Sequence, residues 1–81
     1  MELQDLQTVR KTVGAKQTMK ALQRGEIALL FTAADGDTCI VEPLLTEADR
    51  AGVPAVCTHT MEELGKACKI KVKAAAVGVL R

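Results

Sequence analysis

Eighty-one residues with a net charge of +1 leave room for one small domain and exclude a second, since a single core commonly serves about 100–200 residues. Hydrophobic residues at 48% with 26% charged exclude a disordered chain. One Phe, with no Tyr or Trp, excludes the aromatic platform on which single-strand RNA binders stack bases, and leaves a core that must be dense and aliphatic.

In chain order, Leu3, Leu6 and Arg10 have helical spacing and predict a short first helix. Thr12 and Val13 allow a brief strand before Gly14. Over residues 15–24, Ala15, Thr18, Met19 and Leu22 share one helical face, and Gly25 ends that helix. Ile27 to Ala33 (IALLFTA) is apolar at nearly every position, as a strand is when helices cover both faces of its sheet. Asp35-Gly36-Asp37 is a turn. A helix follows to about Ala51, with Pro43 in its first turn or at a bend, and Gly52 caps it. Val53 to Thr58 (VPAVCT) reads as a second buried strand. Thr60 and Glu63 form a capping box for a helix from Met61 to about Cys68. Lys69-Ile70-Lys71-Val72-Lys73 follows, and Ala74 to Leu80 (AAAVGVL) is a third buried strand. Helices alternating with apolar strands predict a parallel or mixed sheet between helices.

No run of about 18 apolar residues occurs, so no membrane span is expected, and the start MELQDLQTVR lacks the basic tip and apolar stretch of a leader. Cys39, Cys57 and Cys68 are odd in number and widely spaced. Neither a disulfide scaffold nor a zinc ribbon fits them, and a reducing cytoplasm does. With His59 as the one histidine, no metal site is expected. Cys57 and His59 lie two apart, on one strand face if the strand runs that far, as a Cys–His nucleophile pair would need. A buried strand Cys beside an end-of-strand His is far commoner. Asp35 and Asp37 resemble a fragment of a calcium loop, but the remaining ligands are missing and a plain turn is favoured. Neither Gly-rich phosphate-binding signature is present.

The small net charge conceals a segregation. Residues 7–25 carry five basic side chains and no acid, residues 64–81 again five and none, and residues 26–63 eight acids against Arg50 alone. A chain this short folds to a radius of gyration of about 12 Å, so the two basic segments cannot lie far apart. Lys16, Lys20 and Arg24 are spaced by four and share one helix face. If the start of that helix and the loop 69–73 meet at one end of the sheet, they make one positive surface. A nucleic acid or an acidic protein is the partner this charge pattern favours. Gly14 before the helix would let a polyanion approach the N–H groups at the positive end of the dipole. Lys16 would act as a point charge on phosphate, and Gln17 would donate and accept at a base edge.

Val13-Gly14-Ala15-Lys16-Gln17-Thr18-Met19-Lys20-Ala21-Leu22, Leu64-Gly65-Lys66-Ala67-Cys68 and Ala74-Ala75-Ala76-Val77, in that order over essentially the whole chain, resemble the kink-turn RNA-binding ribosomal protein family. The similarity is greatest to its short bacterial ribosomal-protein-like members. The resemblance implies a three-layer α/β/α sandwich with a mixed sheet of about four strands, residues 1–81 forming a single RNA-binding domain, and RNA binding without catalysis or cofactor. The implied ligand is a sharply bent RNA duplex built on a short bulge and tandem sheared G·A pairs, with the ribosome as a setting. The cysteines favour the cytoplasm as the location, and a monomer is expected because no exposed apolar stripe calls for a dimer. Archaeal members have G-x-N-E in the first motif. Carried across, Gly14 approaches the backbone, Ala15 follows it as a further RNA-binding position, Lys16 and Gln17 take the Asn and Glu positions facing the G·A pairs, and Lys20 pairs with phosphate or a guanine edge. Ile70, Lys71, Val72 and Lys73, with Lys69 before them, fall in the loop over the bulged nucleotides, and Ala74 begins the last strand. The rival reading is a protein-interaction module whose basic face docks an acidic partner.

Overall fold

The computed structural model describes residues 3–81. A 3-10 helix (Leu3–Gln7) leads into β1 (Lys11–Val13), α1 (Ala15–Gln23), β2 (Ile27–Ala33), α2 (Thr38–Ala51), β3 (Ala55–His59), α3 (Met61–Ala67) and β4 (Ala76–Leu80). The four strands form one mixed sheet in the order β1-β4-β2-β3. Strand β4 runs antiparallel to both of its neighbours, and β2 and β3 run parallel, joined through α2.

The apolar runs of β2 and β4 are explained by what covers them. On one face, Ile27, Leu30 and Ala76 pack with Ala21 and Leu22 of α1 and with Leu44 and Ala48 of α2. On the other, Phe31, Ala33, Val77 and Val79 pack with Leu6 of the 3-10 helix and with Leu64, Ala67 and Cys68 around α3. This is the three-layer α/β/α arrangement expected. Strict alternation would put Ile27 and Leu30 on opposite faces, yet both are fully buried in the first cluster. A bulge reconciles them: Ile27 pairs with Leu80 and Leu29 with Val79, so Ala28 is the extra residue and is exposed.

Four expectations change. The first helix is 3-10, with Thr8 N–H and Val9 N–H both reaching the Asp5 carbonyl. A spacing of three between Leu3 and Leu6 suits three residues per turn as well as 3.6. Pro43 stands in the second turn of α2, where it cannot donate to the carbonyl four residues back. Strand β3 is not buried on both faces: it is the sheet edge, and Ala55, Cys57 and Thr58 are exposed. The last strand starts at Ala76, two residues later than expected. The reading of MELQDLQTVR as leaderless rests partly on Met1 and Glu2, which lie outside the described residues. Among the described residues, no helix is long and apolar enough to cross a membrane.

Helix α1 sits tightly on β4 because Gly78 has no side chain. A Cβ there would lie 2.6 Å from Ile27 Cδ1, 2.8 Å from Thr12 Oγ1 and 3.1 Å from Thr18 Cγ2. The two threonine hydroxyls share a 2.9 Å hydrogen bond that holds the half-buried Thr12, and Thr18 and Ile27 are fully buried with no free space to enter. Gly78→Ala should therefore lose about 1–3 kcal/mol in urea unfolding, the usual cost of overpacking. An unchanged midpoint would show that the contact between α1 and β4 is loose.

Candidate nucleic-acid interface

The sheet topology brings three helix starts to one end. Val13 pairs with Val77 at the end of β1, and the Gly14 N–H donates to the Ala76 carbonyl at 2.8 Å. One strand over, Ala33 N–H donates to Ala75 O at 2.9 Å, and Ala34 N–H donates to His59 O at 2.7 Å. Residues 14, 33–34, 59 and 75–76 thus lie side by side across the sheet. From this end α1, α2 and α3 all depart, so the positive ends of three helix dipoles gather there.

Two of these three ends are closed by the protein's own carboxylates. In α2, Asp37 accepts from Cys39 N–H at 2.9 Å. In α3, the Thr60 hydroxyl accepts from Glu63 N–H at 3.1 Å, and the Glu63 carboxylate accepts from Thr60 N–H at 2.9 Å, the capping box anticipated from the sequence. Asp35, from the turn after β2, accepts from Met61 N–H at 2.8 Å. The Thr60 backbone N–H holds the Glu63 carboxyl below the usual carboxylate value, against a smaller opposing effect of desolvation.

The start of α1 is open. Gly14 supplies no capping side chain, and the first turn of α1 holds no acid. The first helical hydrogen bond runs from Thr18 N–H to Gly14 O, so the N–H groups of Ala15, Lys16 and Gln17 have no helical acceptor. Gly14 has φ 98° and ψ 150°, a conformation open only to glycine. Lys16, Gln17 and Lys20 are all exposed.

Between α3 and β4 the chain runs back along α3. Lys69 takes a left-handed φ of 58°, and Lys69 N–H donates to Lys66 O at 3.0 Å. Ile70 N–H donates to Gly65 O at 3.1 Å, and Ala74 N–H reaches Met61 O at 3.2 Å. Gly65 makes this close path possible. A Cβ there would collide with the Val72 carbonyl and sit 3.3 Å from Lys73 Cα. Lys69, Lys71 and Lys73 are exposed, and neither they nor Lys16 and Lys20 take part in an ion pair with any described residue. Val72 is 69% exposed, whereas Ile70 packs partly against the core. Glu62, Lys66, Ile70, Lys71, Val72 and Lys73 line a shallow groove, along whose α3 wall Lys66 pairs with Glu62 at 3.3 Å.

The geometry sorts the expected residues. Gly14, Ala15, Lys16 and Gln17 stand at the same sheet end as the close of the loop, through the Gly14–Ala76 bond. Lys69 and Ile70 form its far turn, about one α3 length away. Ala74 is buried, its N–H taken by Met61, so it anchors the loop and offers no contact surface. The single positive surface is also narrower than expected. Arg24 follows the last residue of α1 and stands 4.0 Å from Glu26, while Arg10 and Arg81 are held at the other sheet end by the bonds Leu80 N–H to Arg10 O and Arg81 N–H to Glu26 O.

Cys57 and His59 do not share a face. Val56 pairs with Phe31 but His59 with Ala33, an extra residue on β3. Cys57 Sγ accepts from the Thr32 hydroxyl at 3.1 Å on the α2 side, while the His59 ring lies 6.0 Å from Phe31 on the other. Sequence reasoning missed Asp35, which caps a helix 26 residues away and leaves no local signal. Gly65 stood in the second motif without a role, although a lone glycine inside a helical pattern is a known sign of close packing.

A model of the ribosomal protein L7Ae/L30e/S12e/Gadd45 family matches residues 3–81. The RNA-binding protein YbxF of Geobacillus stearothermophilus is 45% identical over 76 residues, covering 94% of this chain and 93% of that one. The large ribosomal subunit protein eL8 of Haloquadratum walsbyi is 34% identical over 77 residues, 94% of this chain and 62% of that one. Among solved structures, the Giardia lamblia 15.5kD RNA binding protein superposes with a TM-score of 0.88 at 27% identity, covering 98% of this chain and 70% of that one.

The lowered Glu63 carboxyl makes the start of α3 acid-sensitive. Its contribution is full above the ordinary carboxylate value of 4.5 and is lost as pH falls through the lowered one. Thermal melts from neutral pH into the acid range should show a smaller fall for Glu63→Gln than for the parent chain. Equal falls would mean that the capping carboxylate does not couple to folding.

Proposed function

This chain belongs to the ribosomal protein L7Ae/L30e/S12e/Gadd45 family, and from that membership we propose that it binds a kink-turn in structured RNA and stabilises the bent form, in association with the ribosome. The family is of the ribosomal, non-enzymatic type. The observation that carries the reading is the open α1 start beside the close of the lysine loop, at a sheet end where the other two helix starts are occupied by carboxylates.

A phosphate approaching this end meets free N–H groups and lysine charge at α1, and fixed carboxylates at α2 and α3. That asymmetry orients the backbone, since phosphate contacts position an RNA while base edges specify it. Lys16 and Lys20 act on one strand as point charges. Gln17, at the helix start, has both a donor and an acceptor to offer a sheared G·A pair. Lys71 and Lys73 hold the second arm, and the exposed Val72 side chain covers unstacked nucleotides. A protein that meets both phosphate arms through α1 and the loop only in the bent form favours the bent population by the difference in contacts. The similarity to a large-subunit ribosomal protein supports a ribosomal setting.

Filter binding against a kink-turn RNA, a plain duplex and polyglutamate tests this. The parent chain should prefer the kink-turn, and equal retention of polyglutamate would favour the acidic-partner reading instead. Lys16→Ala and Lys71→Ala should each lower the salt slope by about one unit, if each meets one phosphate, while Lys69→Ala at the far turn should lower it less. Gln17→Ala should cost about 1–3 kcal/mol of preference for G·A-containing RNA over plain duplex. An unchanged preference would overturn the base-edge role.

A further inference from the structure

The exposed edge of the sheet opens onto a second surface, remote in chemistry from the lysine loop. VPAVCT has the apolar composition of a strand covered on both faces, but α1 and α2 pack over β4 and β2 and leave β3 bare on that side. Between α2 and β3 lies a mostly apolar groove whose walls include Val41 and Leu45 of α2, Thr32 of β2 and Cys57 of β3. Among the described residues the outer edge of β3 has no partner strand, so its N–H and C=O groups can pair with an added one. The groove meets this edge at Cys57, and β3 offers five residues, about 16 Å of extended chain.

The charge that lines this groove is negative. Glu42 is among its lining residues, and no lysine or arginine is among the described residues that line it. Glu42 is exposed and in no ion pair with a described residue. The groove lies in the chain segment where acids outnumber bases eight to one. A polyanion is therefore repelled here, whereas a basic extended peptide finds three complementary features. The edge of β3 supplies backbone hydrogen bonds, the apolar groove takes alternate side chains, and Glu42 faces the peptide's cations.

We propose that the β3 edge and the α2–β3 groove form a docking site for a basic, extended segment of a partner protein, which adds as a strand beside β3. The peptide places small aliphatic side chains over Val41, Leu45 and Cys57 and a lysine or arginine toward Glu42. The inference does not require the kink-turn reading. It leaves the α1 start and the lysine loop free, so peptide and RNA can be held together.

Cys57 supplies the reporter. It is a free, exposed thiol in the wall of the groove, and Cys39, exposed as well, is replaced by serine so that it does not contribute. The probe is a blocked heptapeptide alternating lysine and valine, with a glutamate–valine counterpart as control. Millimolar lysine–valine peptide should slow maleimide labelling of Cys57 at least threefold and shift the amide NMR signals of residues 55–59. Glu42→Lys, an exposed substitution whose folding is checked by its circular dichroism melt, should abolish that protection. Unslowed labelling, equal protection by the glutamate–valine peptide, or protection unaffected by Glu42→Lys would each overturn the proposal. A parallel titration with kink-turn RNA separates the two readings. Protection by peptide with no RNA preference would sink the RNA function alone, and RNA binding without protection would sink this site alone.

Discussion

The antiparallel pairing of β1 with β4 is the constraint on which the rest depends. Three residues of β1 are enough to fix α1, because the last ladder position passes directly into the Gly14–Ala76 hydrogen bond. Without it, the helix start and the loop before β4 would be two separate basic segments. With it, unsatisfied N–H groups and unpaired ammonium groups face the same solvent. The packing that keeps α1 in place is equally local, resting on the absence of a side chain at Gly78 and on one buried pair of threonine hydroxyls.

Electrostatics then give that sheet end its polarity. A set of helix starts at one pole of an α/β sandwich would attract anions without discrimination. Here carboxylates from positions 35, 37 and 63 neutralise two of the three, and glycine leaves the third available. The acids that sequence arithmetic assigns to the middle of the chain are therefore not a passive counterweight. Some of them cap helices, and Glu42 stands at a groove on another surface. The net charge of +1 averages over two surfaces that would select different partners.

Much of this was legible beforehand. The unbroken apolar runs of β2 and β4 reported coverage on both faces, Thr60 and Glu63 reported the start of α3, and the glycine before Ala15 reported the start of α1. The rest is carried by relations the linear chain does not display. An edge strand and a central strand can have the same apolar composition, and only the number of helices above them decides which is covered. VPAVCT therefore looked buried. Single-residue bulges in β2 and β3 reverse the alternation of side chains, which separates Cys57 from His59 and unites Ile27 with Leu30. Spacing by four linked Arg24 to Lys16 and Lys20, although α1 ends one residue earlier and spreads the three over about 12 Å of axis.

Gly65 has one more consequence. Because the chain from Lys69 to Ala74 lies against α3 with room for no methyl group between them, that segment is ordered before any partner arrives. The entropy of arranging it is settled during folding rather than at encounter, so recognition resembles the meeting of a rigid die with a pliable strip. Under the proposed kink-turn reading, the burden of reshaping falls on the polynucleotide, and the speed of capture follows how often that polymer visits the matching curvature on its own.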